Sequence, residues 1–187
     1  SISKLENFAI LSPLSDNPLY PNYKSNFTEI TKGDSKIISN VDEIDGYSMI
    51  INKNYFKNNI FFDEKFFMYL ENVDLCLRAK KNGGKLYIVT NSKVHHLGAK
   101  AVDDKYNEVI ELSRNWHWMW SKLYFNKKHR GIFVSLLLGF ISLLGNLIKY
   151  SICLFAFNKK KNIYKMRMSG TINALFGKQS WYRPEIN

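Results

Sequence analysis

A chain of 187 residues and 21.9 kDa holds one domain of ordinary size with an appendage and is too short for two independent enzyme domains. With 45% hydrophobic and 15% aromatic residues it can bury enough surface to offset the entropy of ordering, which excludes a disordered or collagen-like chain; Cys76 and Cys153 lie far apart without metal spacing, which argues against a disulfide-stapled scaffold or a zinc module. The net charge of +11 is unevenly spread: residues 1–113 carry 14 Lys/Arg against 15 Asp/Glu, whereas 114–187 carry 13 against Glu185 alone, so a near-neutral body joins a basic tail suited to an anionic partner, lipid headgroups or nucleic acid.

The chain opens on Ser1 with neither a charged n-region nor a small-residue cleavage site, so no signal peptide is read and the sequence is expected to begin partway through a domain. Phe8 to Leu11 predicts a short buried strand stopped by Pro13, and residues 14–40, rich in Asn, Ser, Lys and Tyr, read mostly as loop. Asp45-Gly46 then punctuates the chain before a strand over Tyr47–Ile51. Gly46 serves either a tight turn or the close approach of a ligand. Residues 64–82 predict a helix, because Phe67, Leu70, Val73, Cys76 and Leu77 recur at spacings of three and four, and Asn82-Gly83-Gly84 supplies its stop. Lys85–Thr90 reads as a strand, Asn91-Ser92 as a turn, and Lys93–Leu97 as a further extended piece. This alternation of strands and helix predicts an α/β layer architecture over residues 1–112.

The remainder, 113–187, predicts a basic, apolar helical tail. A helical stretch over Val109–Phe125 holds Trp116, Trp118, Trp120 and Tyr124, and Lys127-Lys128-His129-Arg130 follows it. Gly131–Phe157 then runs for 27 residues with Lys149 as its single charge, enough to cross a hydrocarbon layer that takes about 20 helical residues. Ser135, Gly139, Ser142, Asn146 and Lys149 step by four, three, four and three, which gathers them on one narrow helix face among Leu, Ile and Phe. Three settings are open: a helix buried in a soluble body, a spanning helix packed on a neighbour through its small residues, or a helix lying among headgroups. The two membrane settings are preferred, since the chain has little left with which to enclose the segment.

Chemistry concentrates in Phe61-Phe62-Asp63-Glu64-Lys65-Phe66-Phe67-Met68-Tyr69-Leu70-Glu71-Asn72-Val73-Asp74-Leu75-Cys76-Leu77-Arg78. On the expected helix Glu71, Asp74 and Arg78 share a side. Asp74 and Arg78 at i,i+4 suit an ordinary ion pair equally well, whereas a Glu71 carboxylate beside apolar Phe67 and Leu70 suits general-base work.

The run FFDEKFFMYLENVDLCLRAKKNGGKLYIV, followed by VHHLG, resembles the second half of family 2 glycosyltransferases of the GT-A fold, in particular the bacterial rhamnosyltransferase-like branch. The likeness extends over roughly residues 5–125: FAILSP resembles the strand and proline after the metal-binding loop, DGYSMIINKNYF the Gly-containing strand behind the acceptor, and Arg114-Asn115 the pair before the membrane-proximal helices. The resemblance implies a partial GT-A, Rossmann-like mixed sheet and an inverting transfer of a sugar, rhamnose by the branch, from a nucleotide-diphosphate donor to an acceptor hydroxyl. It implies Glu71 as base with Asp74 orienting it or pairing with Arg78, Asp45, Gly46 and Arg78 on the acceptor side, and His96, with His95 its neighbour, as a ligand to a divalent cation, Mg or Mn. A satisfied strand histidine is the other reading of His96.

Two departures stand out. Many relatives carry an acid where this chain has Asn72, and an amide cannot accept the proton. No Asp-X-Asp motif occurs in the sequence, so the chain is expected to be the carboxy-terminal part of a longer enzyme, inactive alone. The expected partners are the nucleotide-sugar, a glycan or lipid-linked acceptor and membrane lipid, on the cytoplasmic membrane face, peripheral or single-span, in cell-surface glycan synthesis. The competing classes are a membrane-associated piece without catalysis and a nucleic-acid module stacking bases on the Arg114–Arg130 aromatics, to which the apolar run that follows is ill suited.

Overall fold

The apolar run that begins at Phe8 becomes the centre of a sheet. The structure, a computed structural model, describes residues 7–25, 38–98 and 103–184. Strand β1 (Phe8–Ser15) is followed by the two-residue β2 (Tyr23–Lys24), β3 (Ile38–Asn40), β4 (Glu43–Ile44) and β5 (Ile50–Ile51), then helix α1 (Glu71–Lys81) and the long β6 (Lys85–Val94). Helices α2 (Asn107–Arg130), α3 (Ile132–Phe155) and α4 (Lys161–Leu175) complete the chain. The protein is thus mixed α/β, with a small mixed sheet and four α-helices among the described residues.

The chain divides into two compact units: Ser1–Asp63 with Glu71–Ala101, and Glu64–Leu70 with Val102–Asn187. The division expected from sequence between residues 112 and 113 falls inside α2.

In the first unit four strands lie in the order β3-β6-β1-β5, with β6 parallel to β1 and the two outer strands antiparallel to their neighbours. Ala9, Ile10, Leu86 and Ile88 of the sheet and Leu75, Cys76 and Ala79 of α1 form one core with Val41, Ile44 and Phe56. Strand β1 does not stop at Pro13 as the sequence suggested: it pairs with β6 through Ser15. Pro13 is tolerated because β5 reaches only Ile10 and Leu11, so no second neighbour asks Pro13 for an amide hydrogen. The expected turn at Asn91-Ser92 is instead an irregularity within β6, where the pairing with β1 jumps from Pro13↔Val89 to Leu14↔Lys93 and leaves the polar residues between without a partner on β1.

The helix expected over 64–82 begins only at Glu71. Tyr69 and Leu70 have φ of 70° and 66°, in the left-handed region that L-residues cannot propagate, so the apolar spacing at Phe67 and Leu70 belongs to no helix. Its end is as predicted. Gly83 at φ 80° donates to the Lys80 carbonyl at 3.0 Å and Gly84 to Ala79 at 3.0 Å, a Schellman closure. Likewise only Ile50–Ile51 of the expected Tyr47–Ile51 strand is paired, because Gly46 and Tyr47 form a turn. Of the 14–40 stretch read as loop, residues 26–37 lie outside the described residues.

In the second unit α2 runs through the basic cluster to Arg130, since cations in a last turn complement exposed carbonyls, and Gly131 at φ 93° breaks it from α3. Helix α4, which lies within the expected helical tail but is not read there as a separate helix, crosses α2 at Gly170, where an added Cβ would lie 2.3 Å from the Trp116 carbonyl oxygen. The Trp116 indole donates to Ser169 Oγ at 3.1 Å, and Arg167 Nε to Asn115 Oδ1 at 2.7 Å. The small-residue stripe of α3 faces inward: Ser135 Oγ donates to the Leu123 carbonyl at 2.9 Å, an added Cβ on Gly139 would lie 2.7 Å from Leu175, and Asn146 is buried. Its other faces, with Phe133, Leu137, Phe140 and Ile152, are exposed, and 17% of its most apolar stretch is buried. At 24 residues, about 36 Å, α3 is long and apolar enough to cross a membrane, and protein does not enclose it.

His117 is fully buried on α2. Its Nε2 lies 2.8 Å from the Tyr182 carbonyl, which only accepts, so Nε2 carries the hydrogen and Nδ1, 2.8 Å from Ser180 Oγ, accepts from the hydroxyl. Burial holds this imidazole below its ordinary value against the pull of the Tyr182 carbonyl, with Arg183 adding to the depression.

Two outcomes are expected. Gly170→Ala destabilises the second unit by about 1–3 kcal/mol in chemical denaturation, because neither backbone at the crossing has room for a methyl group. Because the unfolded chain protonates His117 first, stability present above pH 7 is lost as pH falls below about 6.5, by up to about 1.4 kcal/mol per pH unit; urea midpoints from pH 8 to 5 show this slope in the wild type and a shallower one in His117→Asn.

Candidate functional site

Because β1 and β6 run parallel, their carboxyl ends emerge on the same side of the sheet, the edge at which open α/β sheets bind ligands. Asp16 and Asn17 leave β1 there, and His95 and His96 leave β6. Asn17 Nδ2 donates to the His96 carbonyl at 2.8 Å, the Asp16 amide to Val94 at 3.1 Å, and the exposed His95 Nδ1 meets Asp16 Oδ1 at 2.7 Å. Since β5 is antiparallel to β1, the turn before it, Asp45-Gly46-Tyr47, lies at the same edge. The Tyr47 ring stacks on the His96 imidazole at 4.2 Å and 9°, and the Tyr20 ring meets it edge-on at 5.5 Å. Gly98 is required by this arrangement: φ is 58°, and an added Cβ would fall 2.1 Å from the Tyr20 ring.

The amino end of α1 closes the site. Asn72 Nδ2 donates to the Ile44 carbonyl at 3.0 Å and to Asp45 Oδ1 at 3.3 Å. Partial burial pushes the Asp45 carboxyl above its ordinary value, opposed by Lys24, reinforced by Glu43, and opposed again by His96 and the Asn72 amide. Gly46 lies against Asn72, with 3.6 Å between that residue's Cβ and an added one, which is ordinary contact, and it has no left-handed φ. Neither the turn nor the packing therefore demands a glycine at 46. Glu71 opens α1, and its Oε2 is buried without a hydrogen-bond partner among the described residues.

Three of the residues singled out from sequence thus meet here, Asp45 and Gly46 through Asn72 and His96 through Tyr47, and Glu71 is the immediate neighbour of Asn72. Asp74 and Arg78 form the ordinary ion pair left open by their spacing. The Asp74 side chain is 0% exposed and accepts from Arg78 Nε at 2.8 Å, and the guanidinium also donates to the Ile60 and Phe61 carbonyls and lies over the Phe56 ring. Arg78 ties the loop before α1 to the helix. The apolar wall expected beside Glu71 is not built by helical neighbours, since Phe67 belongs to the second unit, against the His117 ring at 4.8 Å.

Among the described residues no three His, Cys, Asp or Glu side chains gather as a metal-holding group. His96, the ligand the resemblance implies, packs against the Tyr47 and Tyr20 rings.

Sequence reading missed Asn22, Tyr20 and Tyr47. Asn22 is fully buried; its amide donates to Ser12 Oγ and the Pro13 carbonyl, its Oδ1 accepts from the Ser15 amide, and its carbonyl accepts from the Asp45 amide. It joins the end of β1 to the Asp45 turn, and nothing in a loop rich in Asn distinguishes this one. Cys76 is buried in the core, and burial pushes its thiol up to about 11, which makes it an inert structural group.

No family model, curated protein or solved structure matches the chain.

Arg78→Met is expected to destabilise the first unit by about 3–5 kcal/mol in urea denaturation, since the buried Asp74 loses its guanidinium; an unchanged midpoint removes this pair from the support of the fold.

Proposed function

We propose that this chain is the acceptor side of an inverting glycosyltransferase of family 2, of GT-A type, attached through α3 to the cytoplasmic face of a membrane. The observation that supports it is the convergence of motifs distant in sequence, Asp45-Gly46, Glu71-Asn72 and His96, at the carboxyl edge of two parallel strands. Each motif alone is weak; their order along the chain resembles the rhamnosyltransferase-like branch, and their meeting gives that order a spatial meaning.

In the proposed reaction an acceptor hydroxyl loses its proton to Glu71 as its oxygen attacks the anomeric carbon of the donor sugar. The bond from that carbon to the diphosphate breaks, the electron pair leaves with the phosphate oxygen, and the configuration inverts. Glu71 suits the role because one of its oxygens is buried and uncommitted, whereas Asn72 is engaged with Ile44 and Asp45 and cannot take a proton. Gly46, which the fold does not require, leaves room beside Asn72 for the acceptor. The donor and its cation would be held by residues of the longer protein that the resemblance implies, and rhamnose, on a lipid-linked or cell-surface glycan acceptor, is the sugar the branch suggests.

Glu71→Gln in the full-length protein is expected to lower kcat by about 10²–10⁴ in a nucleotide-sugar transfer assay. Unchanged turnover removes Glu71 from the base role. Absence of transfer by the wild type across a panel of nucleotide-sugars favours the second reading, a membrane-associated piece without catalysis, to which Asn72 and the structural use of Asp74 and Arg78 point. Of the aromatics on which the nucleic-acid alternative would stack bases, Trp116 and Trp120 are buried within the second unit and Trp118 is exposed.

A further inference from the structure

A cavity of about 720 Å³ lies wholly within the second unit, where the last turns of α2 meet the segment following α4. Lys65, Lys127, Lys178 and Arg183 line it, and Glu64 is its one acidic lining residue. Trp120 and Tyr124, stacked at 5.1 Å and 24°, supply an aromatic wall. Lys127, Lys178 and Arg183 have no ion pair among the described residues, which therefore leave the positive charge of the cavity without a counter-charge.

The arrangement is preorganised. The Arg183 guanidinium lies 3.4 Å from the centroid of the Phe67 ring, and its Nη1 donates to the Ser180 and Tyr182 carbonyls at 2.9 and 2.8 Å. The remaining guanidinium donors have no partner among the described residues. Trp120 Nε1 donates to the Lys178 carbonyl at 2.9 Å and fixes the backbone from which that lysine projects. A single carboxylate would balance too little of this charge. A phosphate monoester or diphosphate carries about two or more negative charges with several acceptor oxygens, and the volume exceeds a bare phosphate, leaving room for the body that bears it beside the aromatic wall. Lys127 precedes the membrane-length α3 by one helical turn, which sets the cavity at the start of that helix.

We infer that this cavity is a binding site for a phosphate or diphosphate ester, borne by the headgroup of a membrane lipid or by a soluble molecule of the same chemistry. The site is built from the second unit alone and does not depend on the transferase assignment. Detergent-solubilised chain titrated with dioctanoyl phosphatidate and, separately, with inorganic pyrophosphate is expected to give a saturable change in tryptophan fluorescence, Trp120 being the reporter. Saturation by the lipid alone assigns the site to a headgroup, and saturation by pyrophosphate, alone or as well, to the free phosphate group. Lys127→Ser with Lys178→Ser, both exposed side chains, is expected to weaken the affinity about 30-fold. The equally charged control Lys159→Ser with Lys160→Ser, beyond the other end of α3, leaves it within about twofold, with far-UV circular dichroism unchanged in both. No saturable response to either ligand overturns the site, as does an affinity that survives the first pair or falls equally with the second.

Discussion

Parallel pairing of β1 with β6 is the constraint on which the first unit depends. Parallel neighbours cannot be joined by a hairpin, so the chain between them must travel back across the sheet, and the last stage of that return is α1. Leu75, Cys76 and Ala79 of α1 bury against Ala9, Ile10, Leu86 and Ile88, and the Schellman closure at Gly83-Gly84 turns the chain directly into β6. Gly84 has no space for a side chain, since an added Cβ would fall 2.4 Å from that of Ala9. Once helix and strands are locked in this way, the carboxyl ends of β1 and β6, the Asp45 turn and the first residues of α1 share one edge.

That edge is held by polar contacts that serve geometry before chemistry. Asn22 ties β1 to the Asp45 turn, Asn72 ties the same turn to α1, and Tyr47 stacks on His96 while Tyr20 meets it edge-on. A buried amide with both ends satisfied, as at Asn22, rigidifies such an edge at little net cost. Against this background Glu71 is the exception, a carboxylate with a buried oxygen that the described residues leave without a donor, and native structures rarely keep such a group without a use for it.

The second unit follows a different rule. Its helices approach through small residues, Gly170 beneath the Trp116 carbonyl and Gly139 beneath Leu175, and on α3 Ser135 and Asn146 turn inward while Leu, Ile and Phe turn out. This inversion suits a hydrocarbon surround, where apolar side chains on the outside carry no penalty and close backbone packing supplies the association. The buried His117, whose two ring nitrogens are both engaged, is a neutral polar group placed where a charge would be costly.

Sequence alone determined the features that depend on local chemistry: the apolar period that makes α3 long enough to cross a membrane, its stripe of small residues, the glycine stop after α1, and the strands on either side of that helix. It extended α1 back to residue 64 because apolar spacing carries no record of the left-handed φ at Tyr69 and Leu70, and it ended β1 at Pro13 because a missing amide matters only where a neighbour asks for it. It placed residues 161–175 in a helical tail without separating α4 as a helix of its own, because α4 is stabilised by its crossing of α2 more than by any stripe of its own. Of the edge residues, Asp45, Gly46, Glu71 and His96 stood out by type and order, but Asn22, Tyr20 and Tyr47 did not, since their partners lie far away along the chain. Only the tertiary structure decided that Asp74 and Arg78 belong to each other, because an i,i+4 pair serves a surface, a core or a substrate according to what surrounds it, and burial is a property of the whole fold.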